Sequence, residues 1–313
     1  MSTVGAAGPV IVTPTVLSNA LVNDLTTDQN SMAKLENEIA TGYAVTSPSD
    51  DPAQVANILQ LQAGVVRANQ YEANAQDGLS RLSLANSTVG SILSVLQKVQ
   101  STVESISGSN LSGTAATVAG ISDAVGSALR QLLNLANTQY AGQAIFAGTG
   151  NPTTAYSSTG TYLGAGNAPT RTVAPGSQVA VSVTGPTIFG SGTTGLLSTT
   201  PGDLGVLAQI VADLQAGTAT SLHRATTTGL SALQAAMQTV ETAAGTLGAA
   251  QQAMEGYATQ ATASATALQQ ELGSAQDVNL AQAITNLQLQ QNSYQAALYA
   301  TSQLHVDSLA QYL

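Results

Sequence analysis

Residues 230–272 read LSALQAAMQTVETAAGTLGAAQQAMEGYATQATASATALQQEL. Leu230, Leu233, Met237, Val240, Ala244, Leu247, Gln251, Met254, Ala258, Ala261, Ala265, Leu268 and Leu272 follow one another at alternating steps of three and four without a miss. That 3.5-residue period predicts one long helix whose apolar seam winds left-handed about a partner, and at about 1.5 Å per residue it would run roughly 60 Å. Ala and Gln dilute the seam, so such a helix is marginal by itself and needs neighbours.

Working outward, the pattern breaks near Asp277 and resumes as Leu280, Ile284, Leu287, Gln291, Tyr294 and Leu298 in a last helix that ends at Tyr312-Leu313. The N-terminal end mirrors it. Leu21, Leu25, Met32, Leu35 and Ile39 take the same steps, with Asp28 in the one missing place. Gly42 stops this first helix, and Ser47-Pro48-Ser49-Asp50-Asp51-Pro52 makes a rigid turn in which Asp51 caps a second helix and Pro52 opens it. The second helix carries Leu79, Leu82, Asn86, Val89, Leu93, Leu96, Gln100 and Val103, and frays at Ser107-Gly108-Ser109-Asn110. A third, about Val118 to Asn137, shows Val118, Ile121, Val125, Leu129 and Leu132.

From Tyr140 to Pro201 glycine, proline and threonine replace the helical period, and Gln178 to Val183 alternates as a strand. Helix is expected again from Asp203. The chain is thus predicted to be mainly α and elongated. Its parts would be an N-terminal coiled-coil helix (1–46), the first half of a helical rod (47–139), a small inserted β domain (140–202), the second half of the rod (203–276) and a C-terminal coiled-coil helix (277–313). Two heptad-bearing ends can pair with each other. With seams this dilute, they are expected to order fully only once neighbouring subunits cover them.

Composition excludes several functions. The 313 residues include 17 Asp and Glu but 7 Lys and Arg, a net charge of −10, which argues against nucleic acid as a partner. Aromatic residues are 4% with no Trp, too few for a large compact core, and charged residues are 8%, so Gln-, Asn-, Ser- and Thr-rich surfaces favour packing against other copies. The absence of Cys removes disulfides and thiolate metal sites. The opening MSTVGAAGPVIVTPTVL lacks a basic start and is interrupted by Pro9 and Pro14, which makes a poor secretory signal. No run approaches the roughly 18 apolar residues of a membrane-spanning helix.

Several short patterns now acquire a common context. Ala40-Thr41-Gly42 with the Ser47 to Pro52 turn, Leu132 to Asn137 with Ile145-Phe146-Ala147-Gly148, Gly185-Pro186-Thr187-Ile188-Phe189-Gly190, and Asn279-Leu280-Ala281-Gln282-Ala283-Ile284 with the final Ser308-Leu309 and Tyr312-Leu313 occur in this order along nearly the whole chain. In that order they resemble the hook-filament junction branch of the bacterial flagellin superfamily, the hook-associated protein 3 family. Pro52 after the aspartates favours that branch over flagellin itself. The Gly-Ala-Pro leader and Tyr43-Ala44-Val45, where relatives commonly place basic residues, depart from the pattern.

The resemblance implies a flagellin-like helical bundle, export through the flagellar type III apparatus without a cleaved signal, and a dedicated export chaperone. It further implies self-association in a ring between the neighbouring hook-associated protein and flagellin, outside the cell, with no cofactor, no enzymatic activity and no membrane partner. The residues expected to matter are a structural turn (Pro48, Asp50, Asp51, Pro52) and an assembly seam (Leu21, Leu25, Met32, Leu35, Ile39, Leu280, Ile284, Leu287, Tyr294, Leu298).

Chemical readings of the same residues are weaker. Asp50 and Asp51, adjacent and before proline, read as caps before they read as an acid–base pair. His223 and His305 have no clustered ligands for zinc, and His305 continues the seam. Gly148-Thr149-Gly150 enters no helix, as a nucleotide loop must. Asn86-Ser87-Thr88 and Asn110-Leu111-Ser112 match a glycosylation acceptor pattern that is common by chance. Tyr257, Tyr294 and Tyr299 at helical spacing suit seams better than ligands. The competing readings are flagellin itself, an exported effector whose activity lies in Tyr140 to Pro201, and a helical surface adhesin.

Overall fold

Pro14, which interrupts the apolar leader, is the first residue of helix α1 (Pro14–Thr41), where proline's missing N–H costs nothing. The structure, a computed structural model, describes residues 14–49, 51–108, 115–150 and 153–310. The leader before Pro14, Asp50, the Asn110 acceptor pattern and Tyr312-Leu313 lie outside the described residues, as does the side chain of His305. Pro52 begins α2 (Pro52–Gly108), followed by α3 (Ala115–Ala136). Three two-stranded antiparallel pairs then form: β1 (Gln139–Tyr140) with β2 (Gln143–Ala144), β3 (Thr170–Ala174) with β4 (Ser177–Ala180), and β5 (Thr199–Thr200) with β6 (Asp203–Leu204). A short helix α4 (Gly185–Phe189) interrupts them. The chain then returns through α5 (Val206–Ala216) and α6 (Ala219–Arg224), a π-helical turn (Ala225–Gly229), α7 (Leu230–Gln276) and α8 (Leu280–Ala310).

Contacts divide the chain into two units, residues 1–65 with 266–313, and residues 66–265. In the second unit α2 buries two stripes. Leu82, Val89, Leu96 and Val103 form the one read from spacing, and Ala75, Ala85, Ile92 and Val99 form another, because α2 has a neighbour on each side. On one side Asn86 donates to Gln251 of α7 at 2.8 Å, so a polar member of each predicted seam meets the other. On the other, Val95 and Val99 share a groove with Val125 and Ala128 of α3. Along α7, Leu233, Val240, Leu247, Met254, Ala258, Ala261 and Ala265 are buried.

The inserted region has its own aromatic centre. Phe146 meets Phe189 edge-on at 6.1 Å, and Tyr156 lies 5.4 Å from Phe189 and 5.3 Å from Tyr162. Burial, then the neighbouring Tyr162, raises the Tyr156 phenol above the usual tyrosine range. Asn137, just past α3, pins this centre by accepting from the Tyr156 amide at 2.8 Å and donating to the Tyr156 carbonyl at 3.0 Å. Gly148, at φ 74°, lies so close to Ala165 that a Cβ would meet its carbonyl oxygen at 2.4 Å. Asp77 of α2 binds two strands, accepting from Tyr140 at 3.1 Å and from Arg171 at 2.8 Å. Arg81, one turn on, is 4% exposed and its Nε has no hydrogen-bond partner. Desolvation, then Arg171, lowers its pKa.

Two expectations are corrected. Strand β4 stops at Ala180 although alternation continues to Val183, because the residue opposite Val181 is Pro169, which accepts the Val181 amide at 2.8 Å but has no N–H to return, and Val181, Ser182 and Val183 are all buried. Ser182 instead donates to the Ile145 carbonyl. Helix does not return at Asp203: Gly202, at φ 88°, turns the chain so that Asp203 pairs with Thr200, and α5 waits for Val206. Gly185 to Gly190, which resembles the close of the β domain, forms the short helix α4 from Gly185 with Pro186 in its first turn, ended by Gly190.

Candidate assembly interface

In the first unit α1 and α8 lie side by side. The half-buried positions of α1 include Leu21, Leu25, Asp28, Met32, Leu35 and Ile39, the 3–4 series of its sequence. The facing series on α8 is Ala283, Leu287, Gln290, Tyr294, Ala297 and Thr301. Polar residues join the two. Gln290 donates to Asp28 Oδ1 at 2.6 Å, and Gln29 donates to the Tyr294 hydroxyl at 2.7 Å. A polar pair within an apolar seam fixes register, since any slip leaves both groups without a partner.

The α8 series differs from the one read from its large apolar residues. Leu287 and Tyr294 belong to both, but Leu280, Ile284 and Leu298 lie on the flank, 49%, 45% and 44% exposed. Small Ala283 and Ala297 allow α1 to approach closely, which turns the leucines aside. Sequence reasoning missed this because it follows bulk. The available signal was Gln290, spaced to meet Asp28, with alanines at heptad steps around it.

The connectors close the pair. Ala44 donates to the Gln276 carbonyl at 2.8 Å and Val278 to the Gly42 carbonyl at 2.9 Å, bridging Tyr43 to Asp277. Gly42 takes φ 77° at the end of α1, where a side chain would be strained. Of the turn residues, Pro48 is exposed, Asp50 lies outside the described residues, and Pro52 is the first residue of α2. Asp51 Oδ1 accepts the Gln54 amide at 2.9 Å, an N-cap, and Gln54 reaches the Ala275 carbonyl at 2.9 Å.

The other candidates have structural surroundings. His223 is exposed in the last turn of α6. Asn86 is half-buried and engaged with Gln251 inside α2. Tyr257 packs against the core and Tyr299 is 68% exposed. Among the described residues no group of three His, Cys, Asp or Glu is placed to hold a metal, and no helix is long and apolar enough to cross a membrane.

Fold and interface together define a mainly helical protein whose two chain ends pair with each other while the middle forms a separate unit. Residues 12–151 match the bacterial flagellin N-terminal helical region and residues 230–313 the bacterial flagellin C-terminal helical region, so the chain belongs to the bacterial flagellin family. It is 28% identical to flagellar hook-associated protein 3 of Salmonella typhimurium over 177 residues, 54% of each chain. The Escherichia coli protein of that name is 28% identical over 174 residues, 53% of each chain. The match therefore spans about half the length of these relatives. A flagellin of Clostridium tyrobutyricum is 22% identical over 129 residues, 41% of this chain and 34% of that one. Among solved structures, a Vibrio parahaemolyticus flagellar hook-associated protein shares the fold at a TM-score of 0.61 and 22% identity, covering 73% of this chain and 100% of that one. Bacillus cereus FlgL does so at 0.55 and 20%, covering 68% and 99%.

Proposed function

We propose that this chain is a structural subunit of the bacterial flagellum, an adaptor joining the hook to the filament, and not an enzyme. The observation that carries the reading is the second, uncovered seam of α8. Leu280, Ile284 and Leu298 are exposed at heptad spacing beside a seam already filled by α1, and α8 carries no charged residue from Leu280 to Leu304. A copy of the same chain can pack on such a surface without bringing like charges together. The reading includes self-association in a ring, with the neighbouring hook-associated protein on one side and flagellin on the other.

In this reading the chain is exported unfolded with the help of a flagellar chaperone, without a cleaved signal, and works outside the cell. The two ends read as assembly segments (1–46 and 277–313), residues 47–139 and 203–276 as the rod, and 140–202 as the outward domain. The runner-up is flagellin, supported by the Clostridium tyrobutyricum relative over a smaller share of its length.

Electron microscopy of cells lacking the gene, with an immunoblot of the medium for flagellin, tests the role. Hooks without filaments and with shed flagellin are expected. Intact filaments would remove the adaptor role and promote an adhesin or effector, whereas lost filaments without shed flagellin would make this chain the flagellin. The combined Leu280→Gln, Ile284→Gln and Leu298→Gln variant should keep its helix content yet fail to restore filaments.

A further inference from the structure

Charge is unevenly divided between the two units. Residues 1–65 and 266–313 hold nine of the chain's seventeen Asp and Glu and one of its seven Lys and Arg, so eight of the ten net negative charges fall on this terminal unit. The other six cations lie in residues 66–265, and among the described residues Arg81 is the buried one. It is 4% exposed and makes no hydrogen bond or ion pair among the described residues. A guanidinium carries five N–H donors and keeps its charge inside a protein, so burying it without an acceptor is costly.

A second guanidinium beside it is also incompletely used. Asp77, one turn before Arg81 on α2, accepts from Tyr140 of β1 with one oxygen and from Arg171 of β3 with the other, and from Arg81 with neither. Arg171 uses only its Nε in that bond, and its two terminal nitrogens have no partner among the described residues. Burial first, then the charge of Arg171, lowers the Arg81 pKa against the pull of Asp77 and Tyr140, so the two guanidiniums are near enough to act on each other. Asp77 is the one carboxylate acting on Arg81, which leaves two cations against one anion. The outer members of the cluster are open to solvent, Arg171 38% and Asp77 39% exposed. Arg81 Nε is sealed, but the terminal nitrogens of that side chain, equally without partners, are not.

We infer that Arg81 and Arg171 form a receptor for one small oxyanion, a phosphate or a carboxylate, where α2 meets strands β1 and β3. Guanidiniums present forked N–H donors that match the oxygens of such groups, and these charge-assisted bonds are about twice as strong as neutral ones. An anion entering beside Arg171 supplies the acceptor that Arg81 lacks and brings the charge of the cluster close to zero. It also ties α2 more firmly to the strands, a role that Asp77 fills in part through Tyr140 and Arg171. The inference stands apart from the assembly role, since every group in the cluster belongs to residues 66–265 and none to α1 or α8.

The test uses the full chain, with inorganic phosphate and acetate as probes and NaCl at matched ionic strength as the reference. About 10 mM of phosphate or acetate should raise the melting temperature by about 3 °C or more over NaCl, as a ligand with a dissociation constant of about 1 mM would. Arg81→Met, which keeps the bulk of the stem, should lose that rise while melting no lower than the wild type without a probe. Arg171→Met should lose the rise too, and Arg130→Met, the same change at an exposed arginine of α3, should keep it. Phosphate stabilises most proteins a little by exclusion from their surface, and the Met variants measure that background. Circular dichroism checks folding, and if Arg81→Met does not fold, the partly exposed Arg171→Met decides by itself. A rise with phosphate alone marks a phosphate receptor and a rise with acetate alone a carboxylate receptor, and either upholds the inference. No rise with either anion, an equal rise in wild type and the Arg81 and Arg171 variants, or a loss in Arg130→Met equal to that in Arg171→Met would overturn it.

Discussion

Asp28 occupies a seam position of α1 where Leu would bury more apolar surface, and its one reason to be there is Gln290, 2.6 Å away across the pair. The arrangement exchanges stability for register. In a double-mutant cycle with Asp28→Leu and Gln290→Leu, each single change should leave a half-buried polar group without its partner. The coupling should be about 1 kcal/mol by chemical denaturation. The double variant is expected to melt no lower than the wild type but to lose filament restoration, because its pairing is no longer unique. Gly148 poses the opposite problem, since no substitution fits. Gly148→Ala would put a Cβ at 2.4 Å from the Ala165 oxygen in a left-handed conformation, and should lower unfolding free energy by about 2 kcal/mol or more.

Among the elements, the π turn between α6 and α7 is the least expected. Thr226 and Thr227 donate to the carbonyls of Leu222 and His223 at 3.0 and 2.7 Å, and Gly229 packs against Ile210 where a Cβ would lie at 2.8 Å. A π turn is one residue more than an α-helix needs, so it absorbs an insertion without changing the phase on either side. Deleting Thr227 should therefore leave the melting temperature within about 5 °C of the wild type, read by circular dichroism. Deleting Thr246 instead should rotate all that follows by about 100° and withdraw Leu247 and Met254 from the core, with a far larger loss or no folding. No motif announces this turn in the sequence. Its helical context reads as continuous helix, and only the tight approach of α5 reveals why Gly229 is there.

For the whole molecule, the charge imbalance predicts how assembly responds to salt. With eight net negative charges on the terminal unit, raising NaCl from about 50 to 500 mM shortens the screening length from roughly 14 to 4 Å and should increase self-association, as measured by sedimentation velocity. A decrease would mean that unlike charges hold the copies together and would contradict the neutral role given to α8. Assembly should also raise helicity, since Val22 of α1 and Leu289 and Leu298 of α8 are exposed in the single chain. Equal circular dichroism before and after assembly would remove that coupling.

Much of this was written locally. The 3–4 steps of α7 reappear as its buried face, the α1 series as its half-buried positions, and Asp51-Pro52 as cap and first turn, because heptads and caps depend only on neighbours along the chain. Tertiary structure decided which face of α8 meets α1, the second stripe of α2, the burial of Val181 to Val183 on every side, and the pairing of Asn86 with Gln251 and Asp28 with Gln290. Those outcomes depend on what stands opposite. A repeat specifies that a helix has a seam, but the size and polarity of the partner's residues determine where that seam lies, and the partner is far away in sequence.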